Sequence, residues 1–315
     1  MDTPAVNKSE MLQRIDIRMN NEIGRRGFAR RIGTVLAATA LSGTAAQAQD
    51  RITAAQVVER IKSQLAKEGV IWGPSVIDGF HLGDPDTPVT GVVTTFQPTF
   101  RILRKASAVK KNFVISHESS YWDGVEPIAV VRNDPVYKAK IQFGAQNKMV
   151  VWRIHDHWHR MRPDPISIGL ARKLGWLSYY TPEKKSYEIP EMSLEAVGRH
   201  IQRQLGTQNV LVVGDPNLKV KTIGHGGHIL SSMLTALRTC DVGITGETPQ
   251  HDTFEYVRDA VSLGQRKGFV MISHEGLEEW GMEEFAEWLK PLVPELPVEW
   301  ISTGDPFQIP PLHEA

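Results

Sequence analysis

Cysteine is almost missing from this chain: Cys240 is the only one in 315 residues. An internal disulfide and a thiolate-rich zinc site are therefore excluded. Net charge is missing too. The 36 basic and 36 acidic residues cancel, which leaves no electrostatic footprint for nucleic acid or for stable attachment to an anionic membrane. Low-complexity tracts, coiled-coil heptads and Ser/His/Asp or Cys nucleophile arrangements are likewise absent. What is present is histidine, 11 in all. Seven of them fall in three groups, 155/157/159, 225/228 and 251/274. With 41% hydrophobic residues, the length suffices for one large core or two modest ones.

The chain repeats a short phrase. Ile115-Ser116-His117-Glu118 returns as Ile272-Ser273-His274-Glu275, each time after a β-branched apolar run that reads as a buried strand. Upstream, Thr99 to Ala106 resembles Thr253 to Ala260, as a helix before each strand would. A tryptophan follows each copy, Trp122 and Trp280. Two copies of helix, strand and His-Glu predict two pseudo-symmetric lobes whose metal-capable tips are equivalent.

Residues 1–48 read as an address. Arg25-Arg26 precede a short alanine-rich apolar run and an Ala46-Gln47-Ala48 cleavage site, the pattern of a twin-arginine export signal. The run is too short to span a bilayer. A periplasmic or secreted protein is the expectation, with one domain over 49–315, lobe one at about 49–185 and lobe two at about 186–315.

Elements alternate through that domain. Thr53 and Gln56 form a capping box ahead of a helix at 53–66 with Val57, Ile61 and Leu65 inward. Strands are expected near 89–95 and at 149–152, the latter continuing through His155-Asp156-His157-Trp158-His159, and helices at 136–146 and 166–174. Residues 179–190 read as a connector. Ser193 caps a helix that Gly206 stops. Strands at 210–213, 220–223, 242–245, 269–272 and 298–302 then alternate with helices at 229–238, 252–264 and 279–292. This is an α/β pattern.

In such folds, ligands gather where strands end. His117, Glu118, the 155–159 run, Glu247 and His274 all fall at strand ends. Imidazole with carboxylate suits zinc, iron or manganese. On a strand, His155, His157 and His159 would share one face. His274 and Glu278, four apart at a helix start, can face one point. The loop Gly224-His225-Gly226-Gly227-His228 reads as a tight turn able to expose N–H groups.

In order, Asp78-Gly79-x-x-Leu82-Gly83, His117-Glu118-x-x-x-Trp122, His155-x-x-x-His159, a glycine-rich loop, Thr245-Gly246-Glu247 and His274-x-x-x-Glu278 resemble the Nif-three-like family. These are hexameric dinuclear-metal-centre proteins often named GTP cyclohydrolase type two homologues. The resemblance covers nearly all of residues 49–315. It implies one or two divalent metal ions held by His117, Glu118, His159, His274 and Glu278 in a cleft between two α/β lobes. This chain departs from the family's pattern twice, with Glu118 where a His is usual and His159 where an Asp is usual. The swaps cancel, leaving three imidazoles and two carboxylates. They do remove a candidate bridge, because a neutral imidazole offers one lone pair and a carboxylate two oxygens. Two cations about 4 Å apart repel strongly, so Glu118, Glu278 or Asp156 must bridge, or the site holds one ion.

Three functions follow as expectations. One is a metal-dependent hydrolase of cyclohydrolase- or phosphoester-like type, acting on a small molecule, with Glu247 or Glu275 as proton shuttles. Another is a non-catalytic metal-handling protein. The third is a mononuclear hydrolase like the metallo-β-lactamases, built on His155 and His157. The resemblance also implies a homo-oligomer, a hexamer.

Overall fold

Helix α1 (Ala54–Lys67) begins where the sequence places it, with both halves of the Thr53–Gln56 capping box formed. Val57, Ile61 and Leu65 are fully buried along its inner face. This computed structural model describes residues 52–122 and 129–310; the predicted export signal at 1–48 lies outside them.

A first sheet has the order β1 (Gly79–Leu82), β4 (Val150–Arg153), β3 (Phe113–Ser116), β2 (Val92–Thr95) and β11 (Val298–Trp300). Helices α2 (Phe100–Ala108) and α3 (Pro135–Gln146) connect β2 to β3 and β3 to β4, all three strands parallel, while β1 joins antiparallel to β4. After β4 come the short helix α4 (Asp156–His159) and α5 (Pro165–Lys173). A second sheet has the order β5 (Tyr180–Thr181), β6 (Ser186–Ser193), β8 (Lys219–His225), β9 (Val242–Thr245), β10 (Gly268–Met271) and β7 (Leu211–Val213). Helix α6 (Leu194–Leu205) leads into β7, α7 (Leu230–Thr239) joins β8 to β9, α8 (Glu255–Ser262) joins β9 to β10, and α9 (His274–Leu289) follows β10.

The protein is thus an α/β fold of two pseudo-symmetric lobes. Helix α1, antiparallel edge β1 and the unit β2-α2-β3-α3-β4 are matched by α6, edge β7 and β8-α7-β9-α8-β10, and the sheet orders 1-4-3-2 and 7-10-9-8 coincide. Local detail supports the match. Asn112, just before β3, accepts the Thr90 N–H and hydroxyl at 2.8 and 3.1 Å. Asp241, just before β9, accepts the same two groups of Thr222 at 2.9 and 3.0 Å.

This pairing corrects one expectation. The repeated tetrapeptide ends β3 in lobe one but follows β10 in lobe two, and β10 corresponds to β4. His117 and His274 are therefore not equivalent positions: the phrase and the fold symmetry are out of step by one strand. Two smaller differences concern the lobe limits. The expected connector at 179–190 holds hairpin strands β5 and most of β6, and β11, counted above with lobe two, pairs with β2 in the first sheet.

Helices α5 and α9 carry the two lobes' cores. Met282, Phe285 and Leu289 of α9 pack with Val57, Ile61, Phe113 and Trp152, whereas its Leu277 and Trp280 pack with Val242, Ile244 and Val270. The two helices approach backbone to backbone because both crossing residues are glycine. A Cβ on Gly169 would lie 2.4 Å from the Trp280 carbonyl carbon, and one on Gly281 would lie 2.5 Å from the Ile166 Cα. Such close packing sets the first turn of α9 beside the chain leaving α4.

Candidate metal centre

His117 leaves β3 fully buried, its N–H donating to the Phe96 carbonyl at 3.0 Å. Its ring lies 4.4 Å from that of His155 and 4.9 Å from that of His159. Glu118 turns toward Arg153, the last residue of β4. The Arg153 Nη2 donates to Glu118 Oε2 at 2.8 Å, and its Nε donates to the His117 carbonyl at 2.9 Å. The Ser119 N–H also donates to Glu118 Oε2, at 3.2 Å. Only Oε1 is left toward the histidines, 3.7 Å from His155 Nε2.

The run 155–159 is a helical turn, not the continued strand expected above. Its N-cap residue, His155, supplies no side-chain cap. Asp78, 77 residues upstream, does so instead: its buried carboxylate accepts the N–H groups of His155, Asp156 and His157 at 2.6, 3.1 and 3.0 Å. Helical spacing puts His155 and His159 on one face and His157 on another. His157 is spent on structure. Its Nδ1 lies 2.5 Å from Asp78 Oδ2, its Nε2 accepts the Gly73 N–H, and its ring stacks on Trp72 at 3.8 Å. The metallo-β-lactamase-like reading, which needs His155 and His157 together, therefore fails. The Nδ1 atoms of His155 and His159 lie 3.0 and 3.1 Å from Asp156 and Asp164. Carboxylates bound there orient the rings and leave Nε2 as the ligand atom.

From lobe two, α9 starts at His274, five residues earlier than the expected 279, because the Ser273 hydroxyl accepts the Gly276 N–H at 3.0 Å. His274 and Glu278 then stand one turn apart. Glu278 Oε2 is 3.1 Å from His274 Nε2 and 3.2 Å from His117 Nε2, while Oε1 is 3.7 Å from His228 Nε2. His228 ends the glycine-rich loop after β8. None of these close approaches has hydrogen-bond geometry. His117 Nε2, His274 Nε2 and Glu278 Oε2 are buried without a hydrogen-bond partner. Lone-pair-bearing atoms converging in this way suit a shared cation.

Electrostatics divide the cluster into groups already in ligand form and groups that hold a proton. Burial resists the charge on Glu278, but His117, His228 and His274 outweigh it and hold the carboxyl well below its usual range. Burial lowers the pKa of His117. His155 is lowered to about 4, by burial first and then by repulsion from His117 and His159. Burial opposes charge on His274 and His159 as well, but Glu247 and Glu278 prevail at the first and raise it to about 10, and Asp164 raises the second. A divalent ion would displace those two protons on binding, leaving neutral rings around an ionised carboxylate. Donor atoms of three groups lie within 4.8 Å of one another: His117/His155/His159, His228/His274/Glu278 and His117/Glu118/Glu278.

A cavity of about 720 Å³ opens on the cluster, with Glu118, Arg153, His155, Glu247, His274 and Glu275 on its wall beside Phe96, Trp122 and Phe307. Gly246 makes this approach possible, since a Cβ there would lie 2.8 Å from the His274 Cα. Next to it, Glu247 Oε1 stands 3.6 Å from His274 Nδ1. The two candidate proton shuttles are pushed in opposite directions. His274 lowers the pKa of Glu247, whereas burial raises that of Glu275.

All five residues implied as ligands, His117, Glu118, His159, His274 and Glu278, meet in this cluster. The sequence reading missed His228 as a ligand, placed His155 only in the metallo-β-lactamase-like alternative and did not single out Arg153. The only signals were His155 standing four before His159, and a histidine closing a glycine-rich turn. His251, grouped above with His274, is 86% exposed and faces Asp252.

The sequence matches the profile of the family Duf34/NIF3 (NGG1p interacting factor 3) over residues 77–306. A Chlamydia pneumoniae GTP cyclohydrolase 1 type 2 homolog is 23% identical over 250 residues, spanning 75% of this chain and 92% of its own. In fold, the chain resembles a Staphylococcus aureus hypothetical protein with a TM-score of 0.64 at 20% identity, over 82% of this chain and all of that one. A Bacillus cereus protein related to NIF3 gives the same score at 14% identity, over 82% of this chain and 99% of that one. With its two lobes, its ordered motifs and a profile match across most of its length, the chain belongs to the Duf34/NIF3 family.

Proposed function

We propose that the protein binds one or two divalent metal ions between its lobes and is a hydrolase for a small molecule held in the adjoining cavity. The observation that carries this reading is the convergence of His117 Nε2 and His274 Nε2 on Glu278 Oε2, all three buried and without hydrogen-bond partners, beside an open cavity of about 720 Å³. The donor set admits zinc, iron or manganese. A metal bound there would supply a water of lowered pKa and a Lewis acid.

The chain's own residues divide the remaining work. Arg153 and the Ser119 N–H fix Glu118 at the cavity wall. Asp156 and Asp164 hold the His155 and His159 rings in orientation. Glu247, ionised at the rim, is placed to accept a proton at Oε1. Glu275, whose carboxyl keeps its proton to higher pH, is placed to return one; opposite shifts on neighbouring carboxylates suit acid and base roles. Phe96, Trp122 and Phe307 offer apolar and aromatic surface to a substrate. A cyclohydrolase- or phosphoester-like reaction suits these parts.

Metal-loaded protein assayed on cyclic-nucleotide, phosphoester and purine-ring substrates should show turnover above a His117→Ala control. Equal rates for the two proteins would end the hydrolase reading. The burial of His117 and Glu278 favours a second one, a metal-handling protein without turnover, which predicts stoichiometric metal and an inert cavity.

Export and assembly complete the proposal. Arg25-Arg26 and Ala46-Gln47-Ala48 support twin-arginine export to the periplasm or beyond; Arg25→Lys with Arg26→Lys should retain the protein in the cytoplasm. The resemblance supports a hexamer, to be weighed by light scattering in solution.

A further inference from the structure

We infer that the centre is two unequal ion sites, His117/His155/His159 in lobe one and His228/His274/Glu278 in lobe two, with Glu278 the single bridge and His228 the ligand that completes the weaker site. This inference rests on the two-ion form of the metal-binding reading above, with its bridging carboxylate, and goes beyond it in assigning His155 and His228 as ligands and in the order of filling.

The bridge follows by exclusion. Glu118 has one oxygen held by Arg153 and Ser119. Asp156 has Oδ1 on His155 and Oδ2 on the Ser75 hydroxyl at 3.1 Å. Asp164 has Oδ2 on His159 and Oδ1 on the Ile166 N–H at 3.0 Å. Glu278 alone among these carboxylates faces imidazoles of both lobes, with Oε2 toward His117 and His274 and Oε1 toward His228. It thereby takes over what His159, as a neutral ring, cannot do.

His228 is held in place to ligate. Its loop is pinned to β9, the Gly226 N–H donating to the Ile244 carbonyl at 2.9 Å and the Thr245 hydroxyl to the Gly227 carbonyl at 3.3 Å. Its donor atom lies within 4.8 Å of those of His274 and Glu278, and its Nδ1 is buried without a partner.

Unequal strength follows from support. Carboxylates orient two of the three lobe-one rings, and such outer partners are worth about 10–100-fold in metal affinity. In lobe two Glu247 stands beside His274 Nδ1 only at 3.6 Å, and among the described residues no carboxylate partners His228 Nδ1, whose side chain is 36% exposed. Lobe one therefore fills first, and the lobe-two ion is the exchangeable one.

Chelator-stripped protein titrated with Co²⁺, followed by visible absorption and by metal content after desalting, should bind in two steps. His228→Ala should weaken the second step by about 100-fold or more and leave the first unchanged; His155→Ala should weaken the first. His228→Cys should keep the second step and add a near-ultraviolet thiolate-to-cobalt band, which a merely collapsed loop would not produce. Two unchanged steps in His228→Ala, no thiolate band in His228→Cys, or a single step in the wild type would each overturn the inference while leaving metal binding standing. No cobalt bound by the wild type would instead overturn the metal reading itself.

Discussion

The third parallel strand of each lobe ends in a helical turn that offers two side chains four residues apart: His155 and His159 after β4, His274 and Glu278 after β10. These are the true counterparts across the pseudo-symmetry, and they are built differently. The lobe-two turn has its own cap, Ser273, and continues into a helix of 16 residues. The lobe-one turn lasts four residues, has no cap of its own and depends on Asp78 from a distant loop. The same ligand geometry is thus reached once by local sequence and once by tertiary contact. A site assembled on the second kind of turn is only as stable as the long-range contact that makes it.

The largest test of that difference is Asp78→Ala. It strands three backbone N–H groups and the His157 ring inside the protein, so unfolding in denaturant should show a loss of about 3–5 kcal/mol, as for a broken buried pair. Metal content should fall with it. Next comes Glu278→Gln against the outer carboxylate change Asp164→Asn. The first removes the charge on which three imidazoles converge and should weaken metal binding by more than about 100-fold; the second should stay within about 10–100-fold. Equal effects in calorimetric titration would remove Glu278 from its central place.

Ser273→Ala should be milder, about 1 kcal/mol of thermal stability, the usual worth of an N-cap. If it cost as much as Asp78→Ala, the contrast between local and distant capping would collapse. The smallest effect concerns the matched pair at the sheet bases, Asn112 and Asp241. Burial opposes the charge on Asp241, but the N–H groups of Lys221 and Thr222 and the Thr222 hydroxyl prevail and lower its pKa. A carboxyl lowered on folding stabilises fully above its unfolded value, about 3.9, and loses that contribution as pH falls through the lower folded value. Asp241→Asn should therefore cost roughly 0.5 kcal/mol at pH 7, small because the group is only partly buried and solvent screens it. The difference should vanish in acid, below the lowered folded value, whereas Asn112→Asp should introduce a similar acid sensitivity. Stability curves against pH check both.

How legible the fold was depended on how local its causes were. The capping box at Thr53, the strand at Val242–Thr245 and the stop at Gly206 (φ 69°) follow from residues within a few positions, and each stands where the sequence put it. The range given to α9 began at 279 although its cap, Ser273, is local and His274 with Glu278 already read as a helix start. The 155–159 turn was misread. Alternating histidines after a strand look like more strand, and nothing nearby reveals a cap 77 residues away.

By itself, then, the sequence determined the alternation of strands and helices and the two lobes, since these rest on periodicity and repetition, and its motif order pointed through the family resemblance to five residues that the fold brings into one cluster. Only the tertiary structure decided which strands correspond and that His157 turns away while His155 turns in. It also decided that His228 joins the cluster and that Arg153 commits one oxygen of Glu118. Each of those outcomes depends on atoms far apart in the chain competing for the same hydrogen bonds and the same buried space, a competition settled only when both sheets and the helices α5 and α9 have packed together.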